Sequence, residues 1–347
     1  MVNSKASEDT SWLNSLRVIA TISVILLHVT APLLYKFTKF SGVNWLTANF
    51  FDSLVRFCVP IFVMITGALL LPKNFKLNDY LKKRVAKIIY PFLFWITVYS
   101  LHILLLLKDG FDLPFVKMLT ISESANGNKT TYHFWYIYMI IIIYLLIPIV
   151  GRWIKNAKHK EIIYFLVLWF VAITLTHPLL AKYIPYFNLK YFGGFIGYAV
   201  LGYYLSIRNF NDVKHIQLKS ILIFALGVAI TFMGTYLLSV NSSRMRIDLY
   251  TYFSPNVILA AIGLFTWFKH TKLSNPTLKN VVKFINKQSF GIYFIHILVL
   301  YWLNKFGVNG AVFGPAIGIL LTTLLCLSIS SVFIFCLQKI GLKKIVG

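Results

Sequence analysis

Apolar residues along this chain come in blocks rather than in stripes. Ten blocks can be read, over roughly 16–35, 55–71, 88–107, 132–150, 162–180, 191–207, 220–240, 252–268, 290–303 and 312–337. A run of 18 or more apolar residues suits a hydrocarbon core ~30 Å thick, which takes ~20 helical residues to cross. A transmembrane β-barrel would instead show short alternating segments. The pattern predicts an all-α integral membrane protein of about ten transmembrane helices, in one domain over 1–347. The first block is read as a span and not a cleaved leader. Lys5 is offset by Glu8 and Asp9 before it, and no small-x-small cleavage site follows.

Composition agrees with the pattern. Of 347 residues, 58% are hydrophobic and 13% charged, too few charges to cover a soluble domain of this length. The net charge of +24 invites a nucleic-acid reading, but its distribution argues otherwise. Counted over loops from a cytoplasmic start, Lys and Arg alternate in number, with 23 on one side and 10 on the other. That asymmetry follows the positive-inside rule and puts both termini in the cytoplasm. The basicity is thereby assigned to topology and anionic lipid, with no nucleic-acid partner expected. Cys58, Cys326 and Cys336 have unrelated spacings and suggest neither disulfides nor a metal site. The longest connection, 108–131, is loop-like. Asn128 and Asn241 begin glycosylation-type triplets on the outer side. No internal repeat is visible, unlike the common inverted-repeat transporters.

Ionisable groups inside a membrane span are costly, and each is a default functional hypothesis. Four places qualify. Arg17 and His28, eleven residues apart, fall within ~20° on one helix face and ~16 Å apart along it. Arg17 alone could be a snorkelling anchor and His28 an interhelical hydrogen bond; together they suggest the lining of a cavity. Asp52 and Arg56 are spaced for an intrahelical ion pair where the second span begins, although the Arg56 fork could equally serve a developing oxyanion. Pro60 and Gly67 would loosen that helix. His133 and Trp135 stand at the outer end of the fourth span, where an interfacial belt alone would explain the tryptophan. Ser289, Tyr293 and His296 share one face of the ninth, as either a polar helix-gluing network or part of a site. Paired carboxylates within a span are missing, as are a phosphate-cradling glycine loop and a metal cluster, so any enzyme here would use histidine as its base.

In order, these motifs resemble the acyltransferase-3 family of bacterial membrane acyltransferases, over essentially the whole chain. Arg17 and His28 match the family's Arg, ten residues, His of the first helix. Ser53, Arg56, Val59, Pro60, Phe62, Thr66 and Gly67 match the pattern of the second. Arg84 and Lys87 stand for an Arg-x-x-Arg at the mouth of the third, followed by Pro91, with lysine as a departure that loses the bidentate fork. His133-x-Trp135 and Tyr293-x-x-His296 complete the set. The subgroup most similar is that of the enterobacterial common antigen O-acetyltransferase.

The resemblance implies a ten-helix core in the bacterial cytoplasmic membrane. It also implies transfer of an acyl group, acetyl from acetyl-CoA or alternatively succinyl, onto a cell-surface glycan or lipid-linked saccharide. Acyl-CoA would be a donor substrate, with no permanently bound cofactor and no metal. Arg84 and Lys87 would bind its phosphates, aided by Arg17. His28 would activate the sugar hydroxyl, or carry the acyl group transiently, and Arg56 would stabilise the oxyanion. His133 and Trp135 would orient the acceptor. Two other classes compete: an exporter or flippase of lipid-linked saccharide, and a scaffold for polysaccharide-synthesis proteins. Neither should bind acyl-CoA.

Overall fold

The computed structural model describes residues 10–37, 42–106, 131–181 and 194–347. Among them all regular structure is helical: α1 (Ser11–Leu34), α2 (Gly42–Val55), α3 (Cys58–Leu70), α4 (Leu77–Leu106), α5 (Trp135–Asn156), α6 (His159–Leu175), α7 (Ile196–Ile207), α8 (Ile216–Asn241), α9 (Pro255–Lys269), α10 (Pro276–Lys305) and α11 (Pro315–Leu337). One-turn 3-10 segments, Tyr132–Phe134 and Asp248–Tyr250, precede α5 and α9. Seven stretches are long and apolar enough to cross a membrane, α2 and α3 counting as one. The three other expected spans fall on α6, α7 and α10. The expected loop 108–130 and the Asn128 triplet lie outside the described residues, while Asn241 ends α8.

Several boundaries differ from those expected, each for a physical reason. The span read as 55–71 is the second part of a longer apolar stretch, Gly42–Leu70, that is broken into two helices, α2 and α3. Pro60 has no N–H to give the carbonyl of Arg56, and the helical ladder breaks at Arg56 and Phe57. Arg56 therefore stands in a break between helices, not at the start of one. The helix before it escaped notice because Asn44, Asn49, Asp52 and Ser53 dilute its apolar pattern. Inside the bundle Asn49, Asp52 and Ser53 are satisfied. The Asn49 amide donates to the Phe232 carbonyl at 3.0 Å, and Thr30 donates to Asp52 at 2.9 Å.

Two lysine-rich stretches assigned to loops are helical as well. α4 begins at Leu77 and carries Lys82, Lys83, Arg84 and Lys87; α10 begins at Pro276 and carries Lys279, Lys283 and Lys287. The start of α10 is well specified: the Asn275 side chain accepts from the Leu278 N–H at 3.1 Å, and Pro276 occupies the first turn.

α1 is the hub, packing on α2, α3, α9, α10 and α11. Gly67 does not loosen its helix. A β-carbon there would sit 1.9 Å from the Ala199 carbonyl oxygen, and one at Gly202 would sit 2.2 Å from that of Met64. The two glycines let α3 and α7 cross backbone to backbone, which fixes the wall that α3 presents to the site.

Candidate active site

Two cavities meet in the bundle. The larger, about 310 Å³, has apolar and aromatic walls from α3, α5 and α10, and basic side chains, Arg17, Lys73, Arg84 and Lys87, around it. Arg84 and Lys87 are three residues apart on α4 and so share a face. Arg17 is not loose: its Nη1 donates to Asn286 Oδ1 at 3.0 Å, and the Asn286 amide donates to Asn14 at 3.2 Å. Ser289 and Tyr293, one turn apart on α10, line the same cavity. The Ser289 hydroxyl donates to the Asn286 carbonyl at 3.0 Å.

The smaller cavity, about 30 Å³, is lined by His28, His133, Trp135, Tyr252 and Cys58, among others. Phe62, Tyr136 and Tyr293 line both cavities. The two cavities adjoin at those side chains. Thirty cubic ångströms hold a water or two, or a hydroxyl with the carbon that bears it.

Three histidines from three elements converge here. The rings of His28 and His296 lie 5.2 Å apart and those of His133 and His296 5.3 Å apart. The Tyr132 hydroxyl and His28 Nδ1 share a hydrogen bond of 2.8 Å, which fixes the tilt of that ring. The Tyr293 hydroxyl donates to the His133 carbonyl and so ties α10 to the turn before α5. Trp135 stacks on Tyr252 with ring centres 5.7 Å apart.

Arg56 lines neither cavity. Its Nε donates to Asp52 Oδ2 at 2.5 Å, Nη2 pairs with the same oxygen, and the guanidinium lies 4.0 Å from the centre of the Tyr250 ring. The Tyr250 hydroxyl donates in turn to Asn49. The intrahelical pair weighed from the sequence is thus present, across a helix break and with two guanidinium nitrogens engaged.

The residues singled out from sequence thus fall into three groups. Arg17, Arg84, Lys87, Ser289 and Tyr293 line the larger cavity. His28, His133 and Trp135 line the smaller, with Tyr293 shared and His296 directly behind. Arg56 forms a separate ion-pair centre. Sequence reasoning missed Lys73, Asn286, Tyr132, Tyr136, Tyr250 and Tyr252. Asn286 was findable, since it extends the Ser289, Tyr293 and His296 face by one step of three. The tyrosines were not, being four among 20 with no spacing that separates them from an aromatic belt.

Chemically, the arrangement offers cations for a phosphate, an apolar sleeve, and imidazoles that can move a proton. Among the described residues no three His, Cys, Asp or Glu side chains are grouped so as to hold a metal. No solved structure matches the chain. A protein of Bacillus subtilis (strain 168), named as a candidate membrane-bound acyltransferase, YfiQ, is 25% identical over 310 residues, covering 81% of this chain and 78% of its own length. The profile of the acyltransferase-3 family, described as an acyltransferase domain, matches residues 10–335. With that match spanning nearly the whole of a multi-helix membrane protein, the chain belongs to the acyltransferase-3 family of membrane acyltransferases.

Proposed function

We propose that this protein transfers an acyl group, acetyl in the first instance, from acyl-CoA to a hydroxyl of a cell-envelope carbohydrate. The observation that carries the reading is the meeting of a basic-rimmed apolar cavity with a small histidine-lined one across three shared side chains. A volume of about 310 Å³ is at the lower end of ligand pockets and suits a pantetheine arm, leaving the nucleotide end at the rim. Coenzyme A phosphates would meet Arg84, Lys87, Arg17 and Lys73 as charge-assisted hydrogen bonds.

The reaction follows from that layout. The acceptor hydroxyl enters beside His28 and His133 and gives its proton to His28, while its oxygen bonds to the thioester carbon. Arg56 is engaged by Asp52 and lines neither cavity, so the resulting oxyanion receives no direct contact from it. The carbon–sulfur bond then breaks, and His28 returns the proton to the departing thiolate. Trp135 and Tyr252 offer the sugar ring an aromatic wall. We place the chain in the bacterial cytoplasmic membrane with ten spans and both termini in the cytoplasm. The split of 23 basic residues against 10 supports that orientation, with the basic end facing cytosolic acyl-CoA. The enterobacterial common antigen subgroup and a succinyl donor stay within the same scheme.

The test is acyl-CoA consumption by purified protein with glycan acceptors, wild type beside His28→Ala. Loss of the base should lower turnover by ~10²–10⁴ with acyl-CoA still bound. Full turnover in folded His28→Ala, or no acyl-CoA binding by wild type, would refute the scheme; the latter would favour the exporter.

A further inference from the structure

His296 has one nitrogen whose state the surroundings fix and another with nothing to meet. Its side chain is fully buried. Nδ1 lies 2.6 Å from the carbonyl oxygen of Tyr293 and 3.2 Å from that of Ile292. Carbonyl oxygens only accept, so Nδ1 carries the hydrogen and donates. A second N–H on the same ring would make an imidazolium, a buried charge with no carboxylate against it among the described residues, which is strongly disfavoured. Nε2 is therefore a bare lone pair, and it has no hydrogen-bond partner among the described residues. A buried acceptor left unmet is expensive and rare, and calls for a donor that comes and goes.

That donor is at hand. The His28 ring is 5.2 Å away, tilted by 34°, and its own Nδ1 is occupied by Tyr132. Resting on the acyl-transfer reading above, we propose that His296 is a positioning residue for His28. Its Nε2 accepts the Nε2 hydrogen of His28 as Nδ1 of that ring, released by Tyr132 to the acceptor hydroxyl, takes the acceptor's proton. The step balances simply. The acceptor O–H breaks, the proton passes to His28, and His296 neither gains nor loses one. When the carbon–sulfur bond breaks, the proton leaves His28 for the thiolate and the contact relaxes. His296 thus does for an imidazolium in an apolar bundle what a carboxylate does elsewhere, without carrying a charge of its own into the resting site. The shared face of Tyr293 and His296 on α10 then has a reason. Tyr293 walls both cavities, and the next turn backs the histidine.

Two variants and one spectrum test this. His296→Phe keeps the bulk and removes both nitrogens; His296→Gln puts an amide oxygen where Nε2 stands. Losing a charge-assisted contact made mainly during proton transfer should lower kcat by ~10–100-fold in His296→Phe. KM for acetyl-CoA should stay within about twofold, and His296→Gln should recover much of the loss. A phenylalanine variant with near-wild-type kcat, or two variants equally impaired, would overturn the inference. Independently of turnover, carbon chemical shifts of labelled histidine, assigned by the signal missing in His296→Phe, report the tautomer. The expected result is hydrogen on Nδ1, and hydrogen on Nε2 overturns the proposal. If wild type neither binds nor consumes acyl-CoA, the function fails first and the spectrum still judges the tautomer.

Discussion

Replacing Asp52 by asparagine isolates the interaction on which the setting of Arg56 depends. The Asp52 side chain is 0% exposed and that of Arg56 16%. One carboxylate oxygen receives Nε and Nη2 of Arg56, and the other receives the Thr30 hydroxyl at 2.9 Å. In Asp52→Asn the Thr30 bond can persist on the amide oxygen, but the guanidinium loses its counter-charge. Breaking a buried pair from one side costs ~3–5 kcal/mol, because the remaining charge stays desolvated. The Tyr250 contact is present before and after, so it cancels from the difference. At ~2 °C per kcal/mol for a chain of this size, the melting temperature should fall by about 6–10 °C. Adding Arg56→Gln removes the stranded charge, so the double variant should be more stable than the two single losses predict, by ~2–3 kcal/mol. Thermal unfolding in detergent, read by tryptophan fluorescence across wild type, both singles and the double, measures all four corners. Additivity within ~0.5 kcal/mol, or a single variant that melts with wild type, would refute the reasoning. Such a result would leave Arg56 held by Tyr250 and packing alone.

Two other substitutions probe the rim and the scaffold. Arg84→Ala should raise KM for acetyl-CoA ~10-fold with kcat within about twofold, and Lys73→Ala should act in the same direction more weakly, since both offer only binding contacts. Steady-state kinetics check this, and a fall in kcat at constant KM would contradict it. Gly67→Ala should cost ~1–3 kcal/mol or more, because its new methyl meets the Ala199 backbone at 1.9 Å. Gly151→Ala, 3.2 Å from the Leu71 carbonyl, should cost clearly less. Melting temperatures of the two variants side by side decide the matter, and equal shifts would show that α3 and α7 can part.

Hydrophobicity made the class and most helices legible, since a block long enough for lipid has few other readings. It failed where a helix is not surrounded by lipid. α2 carries polar groups that bond to neighbouring helices, so its pattern resembles a loop although its backbone is regular. It failed again where helices run on past their apolar stretch. The lysines of α4 and α10 look like loop residues to a hydropathy window, whereas Asn275 followed by Pro276 is a start signal that hydropathy ignores. Chemistry along single helices was readable, because spacing alone puts Ser289, Tyr293 and His296 together. Contacts between distant elements were not. Nothing in the sequence links His28 to Tyr132 or Arg56 to Tyr250.

One sequence signal for the site nevertheless went unread. Among the described residues four prolines lie beyond the second position of a helix: Pro32 in α1, Pro60 in α3, Pro91 in α4 and Pro148 in α5. Each lacks the N–H that would bond the carbonyl four residues earlier, and its ring crowds that carbonyl. Counting back four from each gives His28, Arg56, Lys87 and Tyr144. His28, Lys87 and Tyr144 line the two cavities, and Arg56 sits in the helix break. The coincidence has a cause. A carbonyl deprived of its helical donor cannot face lipid, so a membrane helix carries such a proline where the freed group looks into protein or a cavity. The same substitution bends the helix locally and widens the space beside it. Prolines at the starts of α9, α10 and α11 cost no ladder bond and point nowhere. In this chain the interior prolines therefore mark the level of the cavities, and three of the four residues they indicate had already been chosen on chemical grounds.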